Sequence, residues 1–325
     1  MRVALDAMGS DAAPSSEVEG ALAALAEDTD FEVVLLGLRE ALEPFKKKIG
    51  EAQGLALVEV EEAIGMHEAP SEALKTKTYS SIARGIDLLK RGEVDAFVSA
   101  GNTGAVMAFS LFTLGRIKGI QRPALGASFP TPSGHTFVLD VGANVEAKPV
   151  QLRNYAVMGR IVMEKIFRVP QPRVGVINVG HERGKGNQLT QEAYGLLEQA
   201  PIRFIGNLEG SEVFRDKADV IVTDGFTGNV LLKVCEGMGE AVLSTLLTTG
   251  KKYRWRSWFS KKVFRDFISG LNYEESGGAI LLGVEGSVII SHGRSSAHAI
   301  TNALRLASFT VREGVVDAIK EEFSN

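Results

Sequence analysis

Asp95-Ala-Phe-Val-Ser-Ala-Gly-Asn-Thr-Gly-Ala-Val106 and Asp219-Val-Ile-Val-Thr-Asp-Gly-Phe-Thr-Gly-Asn-Val230 align without a gap. Asp, Val, Gly, Thr, Gly and Val are shared, six of twelve positions, at a constant offset of 124 residues. Each stretch opens on a short apolar run, turns through Gly-x-Thr-Gly and continues in a helical pattern. A strand that feeds a glycine turn and then a helix is the repeating unit of an α/β fold. Other strand candidates lie at 3–7, 31–36, 55–60, 136–141, 174–179 and 203–206, beside those at 96–99 and 220–223. They are continuously apolar rather than alternating, the pattern of parallel strands buried on both faces. Between them come amphipathic stretches such as 16–27, where Ser16 and Glu19 are spaced as a capping box.

Working outward, several predicted strands end in a polar, glycine-bearing turn. Asp6-Ala-Met-Gly-Ser-Asp11, Gly142-Ala-Asn144 and Gly180-His-Glu-Arg-Gly-Lys-Gly-Asn187 join the two turns above. Ligands of open α/β sheets bind at the carboxyl ends of the strands. A glycine there admits an anion to backbone N–H groups, and a helix start adds unpaired donors. The paired Gly-x-Thr-Gly turns read either as two related anion sites on one cleft or as ordinary convergence of β/α turns. No Gly-x-x-x-x-Gly-Lys-Ser/Thr and no strand followed by Gly-x-Gly-x-x-Gly occurs, so nucleotide and dinucleotide binding are disfavoured and no cofactor is expected.

The 325 residues contain 45% hydrophobic and 23% charged side chains, a balance that excludes disorder, collagen and coiled coil. Glycine supplies 35 residues, where about 7% of the chain is typical. Lys and Arg number 36 against 40 Asp and Glu, a net charge of −4 that gives no general attraction to nucleic acid. No apolar run is long enough to cross a bilayer. One cysteine, Cys235, rules out an intrachain disulfide and a Cys-based zinc site, and between Val234 and Glu236, with no positive partner required, it reads as packing. The cytoplasm is the expected compartment. Without a Pro/Ser-rich linker, residues 1–325 read as one large α/β domain, with a TIM barrel as the architectural competitor.

Together the motifs resemble a known family. Asp6-Ala-Met-Gly9, Ser99-Ala-Gly-Asn-Thr-Gly-Ala105, Leu139-Asp-Val-Gly-Ala-Asn144, Lys185-Gly-Asn187, Gly206-Asn-Leu-Glu-Gly210 and Asp224-Gly-Phe-Thr-Gly-Asn-Val230 look like the signatures of bacterial phosphate acyltransferase, the PlsX family, in the family's order. Two positions depart from that pattern: Ser10 stands where a second glycine is usual, and Thr78 where a second lysine often follows Lys77. The resemblance implies transfer of a long fatty acyl group from acyl carrier protein to inorganic phosphate, for phospholipid synthesis. It also implies a three-layer α/β/α fold with a mostly parallel sheet, related to phosphotransacetylases and isopropylmalate-dehydrogenase-like enzymes. A homodimer with a peripheral membrane habit is implied as well. A short-chain phosphotransacetylase using acetyl-CoA, a non-catalytic membrane-associated regulator, and a dehydrogenase on the same fold are the alternatives.

Phosphate is already an oxyanion nucleophile, and a thiol with a pKa of about 8.5 is a fair leaving group. Positioning and stabilisation of the tetrahedral oxyanion should therefore dominate. Gly101, Asn102, Thr103, Gly104, Asn144, Asp224, Gly225, Thr227 and Gly228 are the candidate phosphate- or substrate-binding positions. Asn102 and Asn229 offer neutral amide donors, and each Thr hydroxyl can cap its helix or bond the anion. Lys185, between two glycines, is the candidate cation, and His292 can protonate the thiolate or bind phosphate. Asp6, Asp11, Asp140 and Asp224 read as turn-fixing acceptors, and no metal site is expected.

Residues 251–273 differ in kind. Lys251, Lys252, Lys261 and Lys262, with Arg254, Arg256 and Arg265, accompany Trp255, Trp258, Phe259 and Phe267. Basic charge with aromatic anchors on an amphipathic pattern suits an anionic membrane surface. Docking of acidic acyl carrier protein and packing at a dimer interface are the other uses of the same composition.

Overall fold

The computed structural model describes residues 1–28, 30–252 and 277–324. Its strands are β1 (Arg2–Asp6), β2 (Glu32–Leu38), β3 (Leu55–Val60), β4 (Ala96–Ser99), β5 (Ala124–Thr131), β6 (Gly134–Leu139), β7 (Arg173–Asn178), β8 (Arg203–Glu209), β9 (Val220–Val222), β10 (Ala279–Leu282) and β11 (Ser287–Ile290). They form one sheet in the order β3-β2-β1-β4-β11-β10-β5-β6-β9-β7-β8. Alternate residues of each strand enter two separate cores. Val3, Leu5, Val33 and Leu35 face one, and Ala4, Val34 and Leu36 the other. This two-sided burial is why the strands read as continuous apolar runs.

The sheet holds two parallel blocks, β3-β2-β1-β4-β11 and β6-β9-β7-β8. Between them β10 is antiparallel to β11 and β5, and β5 is antiparallel to β6. The blocks consequently run in opposite directions, which in a flat sheet would put their carboxyl ends on opposite edges. Open sheets twist by about 20–25° per strand. Over the five steps from β4 to β9 that exceeds a right angle, enough to turn both sets of carboxyl ends towards one side. A shared site becomes possible because the sheet is wide.

Helices cover both faces, in chain order α1 (Ser15–Glu27), α2 (Arg39–Leu42), α3 (Lys46–Glu51), α4 (Pro70–Thr76), α5 (Ser81–Lys90), α6 (Thr103–Phe109), α7 (Pro149–Lys165), α8 (Gln188–Glu198) and α9 (Gly225–Lys252), followed by two more near the end of the chain. Helix α1 (Ser15–Glu27) lies along helix Ala297–Arg312, where the Thr301 hydroxyl donates to the Gly20 carbonyl at 3.0 Å. A Cβ at Gly20 would come within 2.7 Å of the Ala297 carbonyl, so glycine is required for this approach. The expected capping box does not form: α1 starts at Ser15 after Pro14, without a side-chain cap. Ser16 is already inside the helix. The strand candidates match observed strands with boundary shifts of up to three residues. The β5–β6 hairpin and β10 were not anticipated, because Ala, Gly and Pro in β5 weaken its strand signal.

Candidate active site

In the first block, β1 ends on Asp6, which is buried. Its carboxylate accepts the Met8 N–H at 3.0 Å and the Ser99 hydroxyl at 2.7 Å, and Ser99 Oγ in turn accepts the Gly101 N–H at 3.0 Å. Burial pushes the Asp6 carboxyl above its ordinary range, and these hydrogen bonds oppose the shift. The turn after β11 joins the same knot, its Gly293 carbonyl accepting the Asp11 N–H at 2.7 Å. Underneath, the Ser10 N–H donates to Glu17 Oε1 at 3.0 Å. Glu17 is fully buried, and its other oxygen finds no partner among the described residues. Burial, the largest influence, pushes this carboxyl up to about 7.

The second block is organised by Asp140, also buried at its strand end. It accepts N–H groups of Leu125 at 3.0 Å, Gly142 at 3.1 Å, Ala143 at 2.8 Å and Asn144 at 2.7 Å, and the Asn144 amide at 2.9 Å. Burial raises its pKa against the pull of those donors. The turn after β9 is locked onto this one, with Gly225 N–H donating to the Asn144 carbonyl at 2.7 Å. Asp224 caps helix α9 (Gly225–Lys252 in the chain), accepting the Thr227 N–H at 2.8 Å and its hydroxyl at 2.9 Å. The Asn229 amide donates to the Val141 carbonyl at 3.1 Å.

Helix α9 carries the second block's turn across to the first. Asn229, Lys233, Glu236 and Glu240 are spaced along one helical face. Lys233 Nζ lies 2.8 Å from Glu236 Oε2 and 3.2 Å from His292 Nε2, while Arg294 pairs with Glu240 at 2.8 Å. Between the blocks opens a cavity of about 980 Å³. Gly101, Thr103, Gly104, Gly142, Asn229, Lys233, Glu236, His292 and Arg294 supply its polar lining. Met107, Leu125, Phe129, Phe214, Leu231 and Met238 are among its apolar walls. Burial first, then the neighbouring Lys233 charge, holds the His292 imidazole below its ordinary pKa. Cys235 also lines the cavity, and burial pushes its thiol up to about 11, far from a thiolate nucleophile.

Several expected site residues have other tasks. The Asn102 amide donates to the carbonyls of Gly65, Met66 and Glu68 at 3.2, 3.2 and 2.9 Å, and its oxygen caps the helix at Ala105. It braces a loop instead of offering a donor to a ligand. Asn144 is likewise spent on Asp140, the Pro123 carbonyl and Tyr155 Oη. The backbone N–H groups of Gly101, Gly142, Ala143, Asn144, Gly225, Thr227 and Gly228 all have protein acceptors. The helix caps are Asn102 and Asp224, not the two threonines. Lys185 lies outside the cavity lining, half exposed on the turn after β7, with Nζ 3.9 Å from Glu182. Asp6, Asp140 and Asp224 do act as turn-fixing acceptors.

Asn229 and His292 are brought together with Lys233, Glu236 and Arg294, which the sequence reading passed over. Their signal was present: Lys233 and Glu236 sit four and seven residues after Asn229, on its helical face. Lys251 and Lys252 end the described part of α9. Trp255, Trp258, Phe259, Lys261, Lys262 and Phe267 lie outside the described residues. Among the described residues no helix is long and apolar enough to cross a membrane, and no cluster of three potential metal ligands occurs.

Comparison with known proteins bears on the family and the fold. The family model described as fatty acid synthesis protein matches residues 1–318. A phosphate acyltransferase of Dictyoglomus thermophilum is 46% identical over 330 aligned positions, covering 100% of this chain and 98% of the relative. Among solved structures, a phosphotransacetylase from Streptococcus pyogenes superposes with a TM-score of 0.62 at 16% identity, over 96% of this chain and 94% of its own. A branched-chain phosphotransacylase from Enterococcus faecalis gives 0.61 at 14% identity, over 96% and 99%. At such identities the structural likeness concerns the fold: a mostly parallel α/β sheet covered by helices.

Proposed function

We propose a donor and an acceptor site from one premise: the chain belongs to the family of phosphate acyltransferases that the fatty acid synthesis protein model describes. It is an acyltransferase that moves an acyl group onto phosphate. The donor is a long fatty acyl thioester of acyl carrier protein, and the product is an acyl phosphate for phospholipid synthesis. One observation carries this reading: the polar residues of both blocks and a long apolar wall line a single cavity. Each buried methylene of an acyl chain gains about 0.8 kcal/mol, a gain that an acetyl group cannot collect. The apolar wall therefore favours a long chain over acetyl-CoA.

Phosphate sits at the polar end, beside Gly101, Thr103 and Gly104, within reach of Asn229, His292 and Arg294. Asn144, Asp224, Gly225, Thr227 and Gly228 shape that end from behind, and Gly142 lines it with its N–H already given to Asp140. Lys185, outside the lining, is assigned attraction of the anion only. The exposed apolar residues Phe226 and Val230 on α9, outside the cavity lining, support contact with a second copy. The basic aromatic composition of residues 251–273 supports contact with an anionic membrane.

Mass spectrometry for acyl phosphate tests the reaction, with palmitoyl-acyl carrier protein compared against acetyl-CoA at equal phosphate. Palmitoyl phosphate is the expected product. Faster formation of acetyl phosphate would replace the long-chain assignment by the short-chain one. Flotation with anionic liposomes tests the membrane contact. Binding should weaken as salt rises and fail for Trp258→Ser combined with Phe267→Ser.

A further inference from the structure

We infer that Lys233 is a further catalytic residue: with His292 it carries the proton from the attacking phosphate to the departing thiolate. The inference rests on the thioester-to-phosphate reading above and assigns the one proton that the reaction must move. A phosphate oxygen forms the new bond to the thioester carbonyl carbon. The carbon–sulfur bond breaks, and sulfur leaves with the electron pair. The proton that began on hydrogen phosphate ends on the thiol, giving acyl phosphate and free thiol with no other reactant.

The geometry points to Lys233 in three ways. It lies one helical turn after Asn229 on the same face of α9, so both reach the cavity together. Its Nζ faces His292 Nε2 at 3.2 Å, while His292 Nδ1 accepts the Arg294 N–H at 3.1 Å. At this distance the amine and the imidazole share one hydrogen bond, so a proton can pass between Nζ and Nε2. Third, Glu236 Oε2 lies 2.8 Å from Nζ with its side chain 10% exposed, whereas the Lys233 side chain is 49% exposed. The carboxylate steadies the amine from the protein side and leaves its other side open to a ligand.

Among the described residues, Lys233, Glu236, Arg294 and Asp11 are charged groups that act on His292, and Glu240 pairs with Arg294. The spent backbone donors of the glycine turns add weight to the cluster.

The test uses the full chain with palmitoyl-acyl carrier protein and inorganic phosphate, and follows acyl phosphate and free thiol. Lys233→Ala should lower kcat about 100-fold, within the range of a lost general acid–base group, with little change in KM for phosphate. Lys233→Arg should lose a similar factor, since a guanidinium keeps the charge but does not release its proton. Added ethylamine should restore part of the Lys233→Ala rate, and guanidine should not. Near-normal turnover of Lys233→Arg, a raised phosphate KM with unchanged kcat, or no rescue by ethylamine would overturn the proton-carrying role. Absence of acyl phosphate with the wild-type chain would instead overturn the reaction itself, and the inference with it.

Discussion

The two Gly-x-Thr-Gly stretches share their beginnings and differ in their ends. Asp95 accepts the Arg2 N–H at 2.7 Å, and Asp219 accepts the Arg173 N–H at 2.6 Å, so each pins the start of a neighbouring strand. Beyond the glycine they part. In the first stretch the helix starts at Thr103 under Asn102, and Gly101, Thr103 and Gly104 open onto the cavity. In the second the helix starts two aligned positions earlier, under Asp224. Gly225 and Gly228 are pressed against Asn144 and Asp140, and only Asn229 of the turn emerges. Equal residues thus anchor the strands alike, while the surroundings decide where each helix starts and which turn opens onto the cavity.

The same motif glycine should therefore fail differently in the two copies. A Cβ at Gly228 would overlap the Asp140 carbonyl, which Asp140's hydrogen bonds hold in place. Gly228→Ala is expected to cost about 3 kcal/mol, the upper range of overpacking. At the equivalent Gly104 the nearest atom is the Pro70 ring at 2.6 Å, on a helix end that can shift. Gly104→Ala should cost well under half as much while disturbing activity. Urea unfolding of both variants makes the comparison, and equal losses would erase the distinction between a ligand-facing and a structural turn.

The carboxyl beneath the first turn supplies the next effect. Glu17 is raised in the folded protein from 4.5 to about 7. A raised acid favours folding while protonated, so its contribution is complete below the unfolded value and is lost as pH rises through about 7. At about 1.4 kcal/mol per pKa unit, the loss is on the order of 3 kcal/mol between pH 4.5 and 8. Glu17→Gln, which keeps an acceptor for Ser10, should flatten that part of the stability–pH curve. An unchanged slope in the variant would assign the pH dependence elsewhere.

Asn229→Ala should lower turnover at least tenfold, about 1.4 kcal/mol in the barrier, with a smaller change in thermal midpoint. Asn102→Ala should do the reverse. Loss of a cap costs about 1 kcal/mol, and the released loop at residues 65–68 adds to it, while kcat should change little. Steady-state kinetics beside thermal melts separates the two asparagines. A catalytic loss in Asn102→Ala larger than in Asn229→Ala would reverse their roles.

Much of this protein was legible in the chain itself. Apolar runs such as 96–99 and 220–223 marked parallel strands, because two-sided burial leaves no polar alternation to confuse them. Glycine turns marked strand ends, several of which line the cavity, and ordered motifs marked the family. Tertiary structure alone decided what the donors in those turns do. A backbone N–H at Gly101 or Gly142 is the same group in any sequence reading, and only packing shows that Ser99 and Asp140 have claimed it. The weak strand β5 and short β10, inserted between the blocks, also escaped the sequence, since neither propensity nor length distinguishes them. Yet they reverse one block against the other and set the sheet wide enough for its twist to reunite the strand ends. The meeting of Lys233 with His292, 59 residues apart, follows from that long-range geometry, which no local pattern encodes.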